Sequence, residues 1–177
     1  MNGTAHINRW VTKILLIAGL LFTCNVVFAQ TNPIDSIPSN LSALTIYRVQ
    51  NMSFGAFSIG NTGGTVAISN SGARSVTGDV LGLNMGTPYF QSIFDVDGPP
   101  GAIVSITNGA NATLTGSNGG FMSMQIGNSS VPSPFIITVA QPARTSVNIG
   151  GTLTIGNNAA NPPGIYNGTF YITFNLE

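Results

Sequence analysis

Pro162-Pro163-Gly164-Ile165-Tyr166-Asn167-Gly168-Thr169-Phe170-Tyr171-Ile172-Thr173-Phe174-Asn175-Leu176-Glu177 is a turn signal followed by an alternating run. Tyr166, Phe170, Ile172, Phe174 and Leu176 fall on one side, and Asn167, Thr169, Tyr171, Thr173 and Asn175 on the other. Successive side chains of a strand point to opposite faces, so this pattern predicts a half-buried β-strand. At about 1.5–3 kcal/mol per buried side chain, Phe170, Ile172, Phe174 and Leu176 could together supply roughly 6–12 kcal/mol. That rivals the whole net stability of a typical domain, ~5–15 kcal/mol. The expectation is therefore a last strand at the centre of the fold.

Working back from it, the same alternation recurs. Leu44–Val49, Met52–Ile59, Thr65–Ser69, Ser75–Leu83, Tyr89–Val96, Ile103–Thr107, Ala112–Thr115, Phe121–Ile126, Phe135–Val139 and Ser146–Ile155 all read as strands. Gly55, inside the second of these, marks a bulge or a close backbone approach. Turn signals separate the runs: Asn61-Thr62-Gly63-Gly64, Asn70-Ser71-Gly72, Asp97-Gly98-Pro99-Pro100-Gly101 and Asn108-Gly109. No segment sustains a helical period. Ten or eleven short strands with turns every ~8–12 residues predict an all-β sandwich or barrel. A Gly-Gly-x-apolar-x-apolar unit appears at Gly63–Ile68, Gly119–Met124 and Gly150–Ile155, at unequal spacing. That spacing argues against a solenoid and for one local solution used three times, with glycines easing a turn or bulge before a strand begins.

The other end of the chain carries an address. Arg9 and Lys13 precede the mostly apolar Ile14–Phe28, and Val27-Phe28-Ala29 suits a signal peptidase. The run is shorter than the ~20 residues of a spanning helix and is interrupted at Thr23, Cys24 and Asn25. Residues 1–29 are thus expected to be a cleaved signal peptide, with the membrane engaged only through it. Leu21-Phe22-Thr23-Cys24 outlines a lipoprotein signal as well, but Thr23 suits that poorly. Residues 30–42, with Pro33 and Pro38, are expected to be an extended lead-in, and residues 43–177 a single β-domain.

Cleavage after Ala29 removes His6, Trp10, Lys13 and Cys24. The remainder has no His, Lys, Cys or Trp. Arg48, Arg74 and Arg144 stand against Asp35, Asp79, Asp95, Asp97 and Glu177, a net charge of −2. This composition excludes disulfides, thiolate metal sites and a Ser-His-Asp triad, and it offers no basic patch for nucleic acid. The three arginines, far apart in sequence, read as separate surface charges. Asp95 and Asp97 fall on one face of a strand end. They read as solvated carboxylates; a Ca²⁺ loop usually brings more acidic ligands. No catalytic, cofactor or metal residue is expected. Tyr171 and Tyr89 are the aromatic candidates for stacking on a sugar. Asn40, Asn111, Asn128 and Asn167 fit N-glycosylation triplets, which this Asn- and Ser-rich composition throws up readily. Asp35-Ser36-Ile37 has the form of a bacterial O-glycosylation tripeptide, and a match three residues long reads as chance.

Met52-Ser53-Phe54-Gly55-Ala56-Phe57, the Gly-Gly units and the closing Pro163–Asn175 segment together resemble an exported bacterial family, the domain of unknown function 4402. The resemblance spans Leu44 to Glu177 and implies no enzymatic activity. The closing strand is also similar to that of spore-coat-U-type pilin subunits, which implies an immunoglobulin-like antiparallel β-sandwich and assembly by strand lending, with residues 30–49 as the segment lent. This chain departs from those subunits in lacking their cysteines and in placing Pro33 and Pro38 in the donor. The expected function is a non-enzymatic, exported structural or adhesive subunit of a Gram-negative bacterium. Its site would be extracellular, at the outer cell surface, or in the periplasm. Its expected partners are copies of itself or surface-filament subunits. The alternative is a secreted ligand-binding module for carbohydrate, Ca²⁺-assisted through Asp95 and Asp97.

Overall fold

The computed structural model describes residues 43–177, so the expected signal peptide and lead-in lie outside the described residues. Thirteen strands follow in chain order: β1 (Thr45–Gln50), β2 (Ser53–Phe54), β3 (Phe57–Ile68), β4 (Arg74–Gly82), β5 (Tyr89–Phe90), β6 (Ser92–Asp97), β7 (Ile103–Asn108), β8 (Ala112–Gly116), β9 (Phe121–Ser129), β10 (Phe135–Ile136), β11 (Thr145–Ile155), β12 (Tyr166–Asn167) and β13 (Ile172–Leu176). The described residues contain no helix. The architecture is the expected antiparallel β-sandwich.

The large sheet runs β1-β6-β11-β9-β8-β12, with β3 and β4 joined to it through β11. β11 is its axis. Thr145–Ile149 pairs with β6 and Gly151–Ile155 with β3, while β9 pairs along Ile149–Thr154. Because the β9 ladder overlaps both of the others, β6 and β3 must share one edge of β11 and β9 must hold the opposite edge. Alternation then points Val147, Ile149, Leu153 and Ile155 inward, none more than 3% exposed. Val66 and Ile68 of β3, Val96 of β6 and Met122, Met124 and Ile126 of β9 join the same core.

The cover on that core comes in two pieces with no ladder between them. One is the three-stranded sheet β10-β7-β13; the other is the short pair β2-β5. Val104 of β7 and Phe135 of β10 bury into the core from the first piece, and Phe54 of β2 from the second. Phe174 of β13 meets Phe94 of β6 with ring centroids 5.7 Å apart and planes tilted by 55°, an aromatic contact that ties the two layers together.

The last strand is not where the sequence placed it. Its alternation is correct, with Phe170, Ile172 and Phe174 half-buried between exposed neighbours. Yet β13 pairs only with β7 and forms the edge of the small sheet, and Leu176 is exposed. The run is also split. β12 pairs with β8 in the large sheet, whereas β13 pairs with β7 in the small one. The chain changes layers at Gly168, where a Cβ would lie 2.5 Å from the Thr113 carbonyl oxygen.

Other readings shift, among them Tyr89–Val96, which is split into β5 and β6 in different sheets. Met52–Ile59 is two strands, broken at Gly55 with φ +71°. Asn61–Gly64 is not a turn. It stays within β3 as a bulge, where the register against β4 jumps between Ile59 and Gly64. Gly63 takes φ +74° there, and the Asn61 amide donates to Asp79 Oδ2 at 2.7 Å. Gly150 and Gly151 serve close packing, with no positive φ: a Cβ at Gly150 would lie 2.3 Å from the Ile68 carbonyl oxygen, and one at Gly151 2.8 Å from Met52 Sδ.

Leu153→Ala on β11 should cost about 2–5 kcal/mol in urea unfolding. Leu176→Ala, on the exposed edge strand, should cost under about 1 kcal/mol. Equal losses would return the last strand to the centre of the fold.

Candidate functional site

A cleft of about 520 Å³ opens over the large sheet, between the β2 bend and the segment 162–170. Its floor is the inner face of the large sheet: Leu114 of β8, Met122 and Met124 of β9, and Leu153 of β11. One wall is Met52–Phe57 with Leu83, Met85 and Thr87; the other is Pro162–Gly168 with Phe170. No charged side chain lines it.

Arg74 builds the first wall. At Gly55 the chain turns out of β2, and the Arg74 guanidinium fills the bend. Nη1 donates to the carbonyls of Ala56 at 3.1 Å and Phe54 at 3.4 Å, and Nη2 to that of Leu83 at 3.3 Å. The guanidinium carbon lies 4.3 Å from the centroid of the Tyr89 ring, a cation–π distance. One side chain thus donates to three carbonyls, that of Ala56 also accepting from the Leu83 amide at 2.9 Å, and it joins β2, the end of β4 and β5.

The second wall is held by side-chain amides and hydroxyls. Asn161 is almost wholly buried; its Oδ1 accepts from the Gly156 amide at 2.6 Å and its Nδ2 donates to the Phe121 carbonyl at 2.8 Å. Tyr166 donates its hydroxyl to Pro162 O at 2.8 Å, and Asn118 Nδ2 donates to Pro163 O at 2.6 Å. Ser117 Oγ accepts from the Ile165 amide at 3.1 Å. A loop of prolines and glycines is thereby fixed beside the cleft.

The residues singled out from the sequence are scattered. Asp95 and Asp97 do share the outer face of β6, alternating with buried Val96. Both Asp97 oxygens accept from Gln141 Nε2 at 3.1 Å, and among the described residues no group of three potential metal ligands exists. Tyr171 is 74% exposed, on the polar face as expected, whereas Tyr89, 44% exposed, has one ring face against Arg74. Arg144 stacks 3.8 Å from the centroid of Tyr47. Arg74 is a correction: it is a half-buried clamp and not a surface charge. Asn111, Asn128 and Asn167 are exposed; Asn40, Cys24 and Asp35–Ile37 lie outside the described residues.

The cleft itself was missed. Its floor shows in the sequence only as apolar alternation, and the second wall as a turn. A signal was present in the methionines: Met52, Met85, Met122 and Met124 are all those outside the initiator, and all four line the cleft.

Arg74→Ala should lower stability by about 1–3 kcal/mol, from lost charge-assisted bonds to partly buried carbonyls. Arg74→Lys should restore little, because a point charge cannot reach three acceptors. Arg144→Ala, on an exposed stack, should cost under about 1 kcal/mol. Urea unfolding of the three variants checks this; an Arg74→Ala loss no larger than that of Arg144→Ala would remove the clamp.

No curated protein and no solved structure matches the chain. A family model does match, over residues 44–175, which takes in every described strand but the last two residues of the chain. The chain belongs to the domain of unknown function family DUF4402.

Proposed function

We propose that this protein is a non-enzymatic, exported structural or adhesive subunit that self-associates through its open sheet edges, with β1 as the exchangeable strand. The observation that carries this reading is the position of β1. It is the first strand of the described chain, it pairs with β6 alone, and none of its six residues is buried. Its ladder is interrupted between Arg48 and Gln50. Releasing such a strand lifts one core-packed side chain, that of Ile46, and pairing it with β6 of a second copy would re-form the same ladder. The net cost of exchange then lies mainly in the connecting chain.

The segment to be lent is narrower than residues 30–49. Thr45–Gln50 already has a home in its own domain, so exchange replaces one partner with an equivalent one and fills no vacancy. The surface suits an exported subunit. Its outward strand positions are dominated by Ser, Thr, Asn and Gln, as in Thr113, Thr115, Ser123, Gln125 and Thr154, all exposed. Carbohydrate binding has weaker support, since Tyr171 stands apart from Tyr89, which has one ring face against Arg74.

Tyr47 and Asp95 are cross-strand partners between β1 and β6. In Tyr47→Cys/Asp95→Cys, oxidation should lock β1. Oxidising dilute protein should give a closed monomer that no longer associates. Oxidising concentrated protein should give covalent dimers and higher ladders on non-reducing gels. Wild type that sediments as a monomer at every concentration, together with no ladder in the variant, would overturn the proposal.

A further inference from the structure

We infer that the cleft between the β2 bend and the segment 162–170 is a binding site for a small, uncharged, hydrophobic molecule. This is independent of strand exchange at β1. β1 contributes nothing to the cleft, and either reading can fail alone.

The cleft has the size and chemistry of such a site. Its volume of about 520 Å³ lies within the ~300–1,000 Å³ of small-molecule pockets. A charged ligand would find no partner among the lining side chains, so burying its charge would be uncompensated. The polar lining side chains are Ser53 and Thr87 on the first wall and Tyr166 and Asn167 on the second, and the Ser53 hydroxyl is engaged with the Pro88 carbonyl. The Tyr166 hydroxyl and the Pro162 and Pro163 carbonyls are already engaged in hydrogen bonds, which leaves Thr87 and Asn167 to meet a single polar end.

The methionines carry the argument further. Met122 and Met124, 2% and 3% exposed, lie in the floor, and Met85, 73% exposed, stands at the mouth with exposed Ile165. Thioether chains are flexible and polarisable, and they accommodate varied apolar shapes. Concentrating every methionine of the described chain around one opening gives a floor that can yield to a guest. Rigid elements support it: the Arg74 clamp behind one wall and the Asn161 pin behind the other. An open mouth, an adaptable apolar floor and walls held by hydrogen bonds are what a pre-formed pocket requires.

The test uses N-phenyl-1-naphthylamine, a neutral fluorophore that brightens in apolar surroundings, with the purified protein. Saturable binding at one site per chain is expected. Ala112 lines the cleft from β8, and Ala112→Phe should fill it and weaken the probe by about tenfold or more. Should that variant fail to fold, Met85→Trp gives a second readout at an exposed position, in a described chain with no tryptophan of its own. Its emission should be quenched by energy transfer to the probe, with the same midpoint as probe brightening. Three results would overturn the inference. The first is no saturable brightening, which makes the cleft a packing gap. The second is binding unchanged in Ala112→Phe. The third is a signal that vanishes as protein concentration rises, which makes a second copy of the chain the occupant.

Discussion

The fold depends on the pairing of β11 along both edges. β6 and β3 share one side and β9 takes the other. A strand in this position has its backbone groups satisfied without solvent, so its inward side chains can be wholly apolar and its surroundings dry. Val147, Ile149, Leu153 and Ile155 meet that condition. Gly150 and Gly151 are the steric counterpart, because the backbone at Ile68–Asn70 and the Met52 thioether approach too closely for a side chain.

Covering this sheet is a separate problem, and the chain solves it in two parts. The small sheet β10-β7-β13 lies over one region, bonded through the Phe94–Phe174 contact. The β2-β5 pair covers another, held by Arg74. Between the β2 bend and the segment 162–170 an opening remains over an apolar floor, and that floor is core.

Both layers also keep open edges. β13 closes the small sheet on one side, and β1 closes the large sheet on another, each with one partner. Neither edge carries the lysines or inward charges that commonly discourage pairing. On β1, Arg48 is exposed and Tyr47 is stacked under Arg144, which leaves the strand attached by backbone bonds and little burial.

Much of the fold was legible from alternation and punctuation. Met122, Met124 and Ile126 in phase, Val66 and Ile68 in phase, and the Asn108-Gly109 turn all sit as the pattern implies, because the face a side chain takes depends only on its own strand. Rank within the sheet was not legible. The closing run has the stronger aromatic alternation, yet β11, interrupted by two glycines, is the central strand. Alternation reports which face is apolar, and the number of neighbours depends on segments far away in sequence. Arg74 shows the same limit: its charge is visible in the sequence, but the three carbonyls it binds come from bends that only the folded chain brings together. The sequence by itself determined the all-β class, the faces of the strands and a chemistry without His, Lys, Cys or Trp beyond the expected signal peptide. The tertiary structure alone decided which strand is the axis, which edges stay open and where the methionines meet, because each of these is set by contacts between distant residues.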